Sequence, residues 1–297
     1  MIQSEVLLTS SSPAFFARNA LRCPVCQAPL AVSGNGMECT SRHRFDFARQ
    51  GYLNLLLSHK MNSRQPGDNQ DMVAARTRFL DAGHYQSVSD AVTRAAIRLL
   101  ADQETPVILD AGCGEGYYTH QLKIAIPRAD LYALDISRPA IRACCRRSRA
   151  IHWLIGSVTD LPLADNSTDL LISIFSRIDW KTFARVLKPS GHVIILAPGA
   201  NHLLSLREII YEEVRDYPTG KILNSMPKTF DIISEHSIQA DFCLTSATGI
   251  HDLLAMTPHY WHISAARRQR LDTLHQLQCT IDLKRYILQL TPRVTSD

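Results

Sequence analysis

Apolar positions fall into two alternating rhythms along most of this chain. Val88, Ala91, Val92, Ala95 and Leu99 recur at three- and four-residue intervals, which puts them on one face of a helix. Thr105-Pro106 then punctuates the text before the short run Val107-Ile108-Leu109. Four more short runs follow: Leu131 to Leu134, ending at Asp135; Trp153 to Ile155, ending at Gly156; Leu170 to Phe175, after Asp169; and Val193 to Ala197, after Pro189-Ser190-Gly191. Short strands separated by helix-length segments predict a parallel α/β sheet. Cys279 to Leu290 alternates and leaves no room for a crossover helix, so it is expected as an antiparallel strand near the sheet edge.

The polar stretches divide the rest. Residues 1–21 lack periodicity and read as an extension; residues 22–58 hold a cysteine cluster; residues 59–71 are polar and turn-forming and read as a linker; residues 72–297 carry the strand and helix rhythm. A chain of 297 residues, 45% apolar and 20% charged, suits one large domain plus a small one and excludes a collagen or a disordered tail. Its net charge of +4 permits an anionic partner. With no long apolar run and no basic residue before Arg18, neither a membrane span nor a secretory signal is expected, and the default is a soluble cytoplasmic protein.

Three of the eight cysteines crowd into the first 40 positions, without the spacing of a secreted disulfide framework. Cys23-Pro-Val-Cys26 and Cys39-Thr-Ser-Arg-His43 are two close pairs joined by a loop able to fold back. Three thiolates and an imidazole are what tetrahedral Zn²⁺ takes, and a full set of four leaves no place for water, so one structural zinc is expected. Around it stand Arg22, Arg42, Arg44, Arg49, Lys60 and Arg64 against Glu38 and Asp46, about +3 once three thiolates and the ion are included. Such a module could hold phosphates, with Phe45, Phe47 or Tyr52 stacking on bases; alternatively the aromatics pack the module and the arginines are solvated.

Directly after Val107 to Leu109 comes Asp110-Ala-Gly112-Cys113-Gly114-Glu115-Gly116-Tyr117-Tyr118. Glycines at a strand end let a ligand approach the backbone where doubly wound sheets bind cofactors. Asp110 and Glu115 would repel a pyrophosphate but suit the cationic sulfonium and amino group of S-adenosylmethionine, while Asp135 would accept the ribose hydroxyls and Asp160 the adenine amino group. Cys113 reads as a small residue fitting the turn. The basic runs Arg142, Arg146, Arg147, Arg149 and Arg267, Arg268, Arg270 are solvated faces or phosphate contacts.

Taken together these residues resemble the bacterial large-subunit (23S) ribosomal RNA guanine-N1 methyltransferases of the A type. The likeness rests on Cys23-Pro-x-Cys26, Cys39-x3-His43-x-Phe45-Asp46, Gln50-Gly51-Tyr52-x-Asn54-Leu55-Leu56 and Pro66-Gly67-Asp68. It extends through Arg78-x-Leu80-Asp81-Ala82-Gly83-His84-Tyr85, the glycine loop, and Pro198-Gly199-x-x-His202-Leu203. It implies a Rossmann-like methyltransferase domain with a mixed seven-stranded sheet, a zinc module that recognises an rRNA hairpin loop, and a homodimer. By the same likeness Tyr85, Gly114, Glu115, Asp135 and His202 contact the cofactor, beside Gly112 of the glycine loop already read from the residues. One segment departs from the family: Phe175-Ser-Arg-Ile-Asp179-Trp180 replaces an Ala-Pro-Cys-like turn at the acceptor position. Asp179 is the carboxylate nominated there as proton acceptor. The departure also motivates a rival, a zinc-dependent RNA-binding protein that has lost transfer; a small-molecule methyltransferase is a third reading, disfavoured by the basic module.

Overall fold

Three short strands come first in the computed structural model, which describes residues 20–61, 63, 65–214, 217, 220–261 and 263–291. Most of the expected extension (1–19), Arg64 and the last six positions lie outside the described residues. β1 (Leu30–Ser33), β2 (Gly36–Cys39) and β3 (Arg44–Asp46) form an antiparallel sheet of their own. A two-residue turn links β1 to β2, and Gly34 supplies the positive φ (+56°) that such hairpins need. β4 (Leu53–Asn54) then leaves this module and enters the main sheet.

Helices and strands alternate after the linker: α1 (Gln70–Asp81), α2 (Gln86–Leu99), β5 (Val107–Ala111), α3 (Tyr117–Ala125), β6 (Asp130–Asp135), α4 (Arg138–Arg147), β7 (His152–Ile155), β8 (Thr168–Ile174), α5 (Trp180–Val186) and β9 (Leu187–Pro198). The chain ends with α6 (Leu204–Ile210), α7 (Lys221–Ser225), β10 (Phe230–Leu244), α8 (Ala247–Ala255), α9 (Ala265–Asp272) and β11 (Leu277–Leu290). The strand order is β10-β11-β9-β8-β5-β6-β7-β4, parallel from β9 to β4 and antiparallel at β10 and β11.

All five apolar runs became central strands, and β11 is the expected antiparallel one. The mixed sheet has eight strands, one more than the resemblance implied. Leu53 and Asn54 pair in parallel with Leu154 and Ile155 and supply the eighth. The edge beyond β11 belongs to β10, which the hydrophobic pattern did not announce.

Each face of the sheet has its own core. On one, Val88, Val92, Leu122 and Ile141 bring α2, α3 and α4 against Ile108, Leu131 and Ile172. On the other, Phe183 and Val186 of α5 share a cluster with Leu30, Met37 and Cys23 of the first module. Leu30 and Met37 are fully buried, each worth about 1.5–3 kcal/mol, so the small module packs on the sheet. Leu21 is buried too and bridges to Leu163. The connections leave β5 toward β6 on one side while β8 lies on the other, so a crevice opens at the carboxyl ends of β5 and β8, the switch point where such sheets bind ligands.

Candidate active site and metal centre

Two matched backbone turns hold the metal centre. Gln27 N–H donates to the Cys23 carbonyl (2.8 Å) and Arg42 N–H to the Cys39 carbonyl (2.9 Å), and Gln27 and Arg42 both take left-handed φ (63° and 62°). These turns bring the ligand atoms of Cys23, Cys26, Cys39 and His43 within 4.8 Å of one another. Cys26 Sγ lies 3.6 Å from Cys39 Sγ, and His43 Nδ1 lies 3.6 Å from Cys23 Sγ and 3.4 Å from Cys39 Sγ. With Zn–S near 2.3 Å and Zn–N near 2.0 Å, tetrahedral ligand atoms stand about 3.5–3.8 Å apart, so the residues fit the ion. A hydrogen bond from Ala28 N–H lowers the Cys26 thiol to about 6, favouring the thiolate a metal requires.

The module's charge is less free than its sequence suggested. Arg22 pairs with Asp165 (3.1 Å), Arg44 with Asp46 (2.9 Å) and Lys60 with Asp160 (2.6 Å). Tyr52 is buried in the core, and Phe45 and Phe47 pack against the second cluster. Burial removes Tyr52 as a base-stacking platform, while Phe45 and Phe47 are half-buried against the sheet's core.

At the crevice, the loop after β5 needs its glycines. Gly112, Gly114 and Gly116 have φ of +90°, +57° and +84°. A Cβ on Gly112 would meet Ser176 Cβ at 2.4 Å, and one on Gly116 would meet Trp153 at 2.8 Å. Gly112 and Cys113 N–H both donate to the Leu134 carbonyl (2.9 and 3.0 Å), tying the loop to β6. Burial pushes the Cys113 thiol well up, which disfavours the thiolate that a nucleophile requires.

Three carboxylates surround this loop. Asp135 accepts Gly114 N–H (3.0 Å) and Ser137 N–H (2.8 Å). Asp110 accepts the Thr119 hydroxyl (2.6 Å), and Glu115 pairs with Arg147 (3.1 Å). Burial raises all three, Asp110 to about 7 with Asp135 and Glu115 adding to it. An anionic, glycine-lined end of this kind suits a cationic ligand and opposes a pyrophosphate. Asp110 turns inward to α3, so its contribution there is field rather than contact.

Of two arginines at this end, sequence reasoning missed Arg76 and read Arg147 as part of a solvated or phosphate-binding run, whereas it is paired with carboxylates. Arg76 of α1 pairs with Asp68 and donates to the Met256 carbonyl (3.0 Å), and its Nη1 would lie 3.4 Å from a Cβ on Gly114. Burial works against its charge, but Asp68, Glu115 and Asp135 outweigh it and the pKa is raised. Arg147 ties α4 to Glu115 and to Asp81 (2.7 Å). Asp68 belongs to the linker, whose Gly67 sits so close to Ile136 and Ser137 that a Cβ would meet both at 2.9 Å. The Asp68 carbonyl accepts the Ser137 hydroxyl (2.7 Å), so this part of the linker forms one wall of the site.

Across the crevice, Phe175 follows β8 with φ +53° and is 47% exposed. Its ring lies nearly parallel to His202, centroids 6.0 Å apart at 16°. His202 Nδ1 accepts Asp282 N–H (3.3 Å) and Nε2 faces Tyr85 Oη at 3.4 Å, which brings the two residues suggested by resemblance together. Burial lowers His202 to about 4, leaving a neutral imidazole whose proton is on Nε2. Asp179 caps α5, Oδ1 accepting Thr182 N–H (3.0 Å), and Asp160 takes its ion pair from Lys60. Both carboxylates thus carry structural partners that spacing alone did not reveal.

A family profile described as "RlmA, N-terminal" matches residues 21–64, and one described as "Methyltransferase domain" matches residues 108–191. A 23S rRNA (guanine(748)-N(1))-methyltransferase of Streptomyces fradiae is 30% identical over 271 residues, covering 88% of this chain and 94% of its own. A Micromonospora griseorubida protein provisionally named for 23S rRNA guanine-N1 methylation is 33% identical over 267 residues, covering 83% and 88%. A Bacillus subtilis protein with a similar provisional name is 29% identical over 272 residues, covering 88% and 94%. The cofactor of the crevice is S-adenosylmethionine, and the Cys3His set takes one structural zinc.

Proposed function

We propose, since this chain belongs to the family of 23S rRNA (guanine-N1)-methyltransferases, that it methylates N1 of a guanine in a hairpin loop of large-subunit rRNA, in the cytoplasm and as a homodimer. The observation that carries this reading is the continuity between metal module and cofactor end. Residues 53–54 run beside β7, and the linker that follows docks on Ser137 next to Asp135. RNA held by the module is thereby presented to the crevice rather than tethered at a distance.

Guanine N1 lies on the pairing edge and carries a proton, so the base must leave its stack before it can react. Bound S-adenosylmethionine supplies an electrophilic methyl on a sulfonium. Gly112 and Gly114 give the backbone approach, Asp135 takes the ribose hydroxyls, and Glu115 and Asp110 favour the cationic end. Tyr85 and His202 close the side toward β9 and β11, and Asp160 reaches the adenine once Lys60 yields. Phe175 offers its exposed face as the platform on which the splayed guanine stacks, with neutral His202 as its backing. The N1 proton passes to water or to Oδ2 of Asp179, which has no partner among the described residues. Alignment of nucleophile, methyl and sulfur supplies most of the rate.

The test is transfer of a labelled methyl group to unmodified 23S rRNA, followed by mapping. A single N1-methylguanine in a hairpin loop is expected; a label on another atom, or transfer to a small acceptor with rRNA inert, overturns the reading.

A further inference from the structure

A groove of about 610 Å³ lies between α1 and α4, with Gln50 of the metal module among its lining residues. Arg78, Arg142, Arg146 and Arg149 line it together with Thr77, and none of its lining residues is acidic. The arginines of this region divide sharply by what they touch. Arg147 is committed to Glu115 and Asp81, Arg76 to Asp68, and Arg78 to Asp252. Arg142, Arg146 and Arg149 are exposed, and among the described residues none of the three side chains pairs with a carboxylate or donates a hydrogen bond.

Their spacing makes them one feature. Arg142 and Arg146 are four residues apart on α4, so they stand one above the other about 6 Å apart along the axis, and Arg149, beyond the helix end, lines the same groove. Like charges in a row on one helix face cost stability unless a ligand neutralises them. The ligand must be anionic, extended over more than one helical turn and narrow enough to enter a groove. A repeating phosphodiester chain meets these conditions, whereas a single phosphate would leave part of the row unanswered and a bilayer surface would need a flat face. The one thiol lining the groove, Cys145, is pushed up to about 12 by burial, so the site is built for binding rather than chemistry.

We propose that the α1/α4 groove is a second RNA-binding site, in which Arg142, Arg146 and Arg149 grip the sugar-phosphate backbone of the rRNA outside the hairpin being methylated. The inference rests on the rRNA reading above. Guanidinium groups suit this task because each can bond two oxygens of one phosphate. Backbone contact here positions the RNA without specifying its sequence.

The experiment compares two charge-matched pairs with the same helical spacing: Arg142→Gln/Arg146→Gln in the groove, and Arg94→Gln/Arg98→Gln on the exposed side of α2. The probe is an unmodified transcript of the 23S rRNA domain that the wild-type protein methylates, titrated across salt concentrations, with S-adenosylmethionine affinity and thermal unfolding measured alongside. The groove pair should weaken RNA binding on the order of tenfold and reduce the salt slope by about two, since two counterion-releasing contacts are lost. Cofactor affinity should stay at the wild-type value, thermal stability should be equal to or slightly above it because a like-charge pair is relieved, and the α2 pair should change RNA binding little. Equal losses in both pairs, or unchanged affinity and slope in the groove pair while the wild type binds and methylates the transcript, overturn the groove. A wild-type protein that neither binds nor methylates rRNA overturns instead the reading on which the groove rests.

Discussion

Around Cys23, Cys26, Cys39 and His43 the strands are three or four residues long, and β3 buries none of its side chains, whereas β8 is buried along its whole length and β6 at four of six positions. The metal module lacks an interior of its own. Its order comes from four ligands and from Leu30 and Met37 borrowed into the sheet's second core. The cofactor crevice is the reverse case, held without any ion by backbone hydrogen bonds, close glycine packing and buried charge. A site on a preformed sheet tolerates loss of its ligand, and a site that substitutes for a core does not.

Removing the metal should therefore have the largest effect. Cys39→Ser should abolish the one zinc per chain, with a binding free energy on the order of 10–16 kcal/mol at stake, and amides of the module should lose protection from hydrogen exchange while those of β5, β6 and β8 keep it. Equal loss in both regions would erase the contrast. In the crevice the corresponding weakness is steric. Gly116→Ala places a Cβ 2.8 Å from Trp153 at φ +84° and should cost about 2–5 kcal/mol by chemical denaturation, leaving zinc content intact.

Buried charge gives the crevice a pH dependence. Asp110 has a folded value of about 7 against an ordinary 3.8, so the folded state prefers its protonated form. The sign is then fixed: its contribution to stability falls as pH rises from about 4 to about 7 and stays low above that. Asp110→Asn, which keeps an acceptor for the Thr119 hydroxyl, should match the wild type near pH 4 and exceed it by up to about 4 kcal/mol at pH 8. A difference independent of pH would mean the carboxylate is already ionised in the fold. Smaller again, Asp135→Ala should weaken S-adenosylmethionine by about 1.5–3 kcal/mol in calorimetry, since charge-assisted bonds to two hydroxyls are lost.

Legibility in the sequence followed the same divide. The five central strands were readable because strands buried on both faces become short, largely apolar runs, each bounded at one end by Asp or Gly. β10 was not, because one of its faces meets solvent and its text, with Asp231, Glu235, His236 and Asp241, dilutes the alternation. Residues 53–54 are too short to signal a strand. The zinc ligands were fully legible, since spacing alone defines a tetrahedral set. Asp160 and Asp179 were legible as carboxylates near strand ends, but Lys60 lies 100 residues from the first, and the second opens α5 as its cap, a role its place before Trp180-Lys-Thr182 could have suggested. The partners of Arg76 come from Asp68 and Met256, so only the fold could place it beside Gly114.

The account's central claim is that the sheet binds the cofactor and the metal module delivers the RNA. It is tested most directly by measuring S-adenosylmethionine affinity and rRNA methylation on the same preparation of Cys39→Ser. The prediction is cofactor affinity within about twofold of wild type, as expected for a crevice whose loop is held by β5, β6 and the linker rather than by the zinc ligands, together with a loss of methylation of at least about tenfold. Methylation at the wild-type rate without zinc, or parallel loss of cofactor binding, would contradict it.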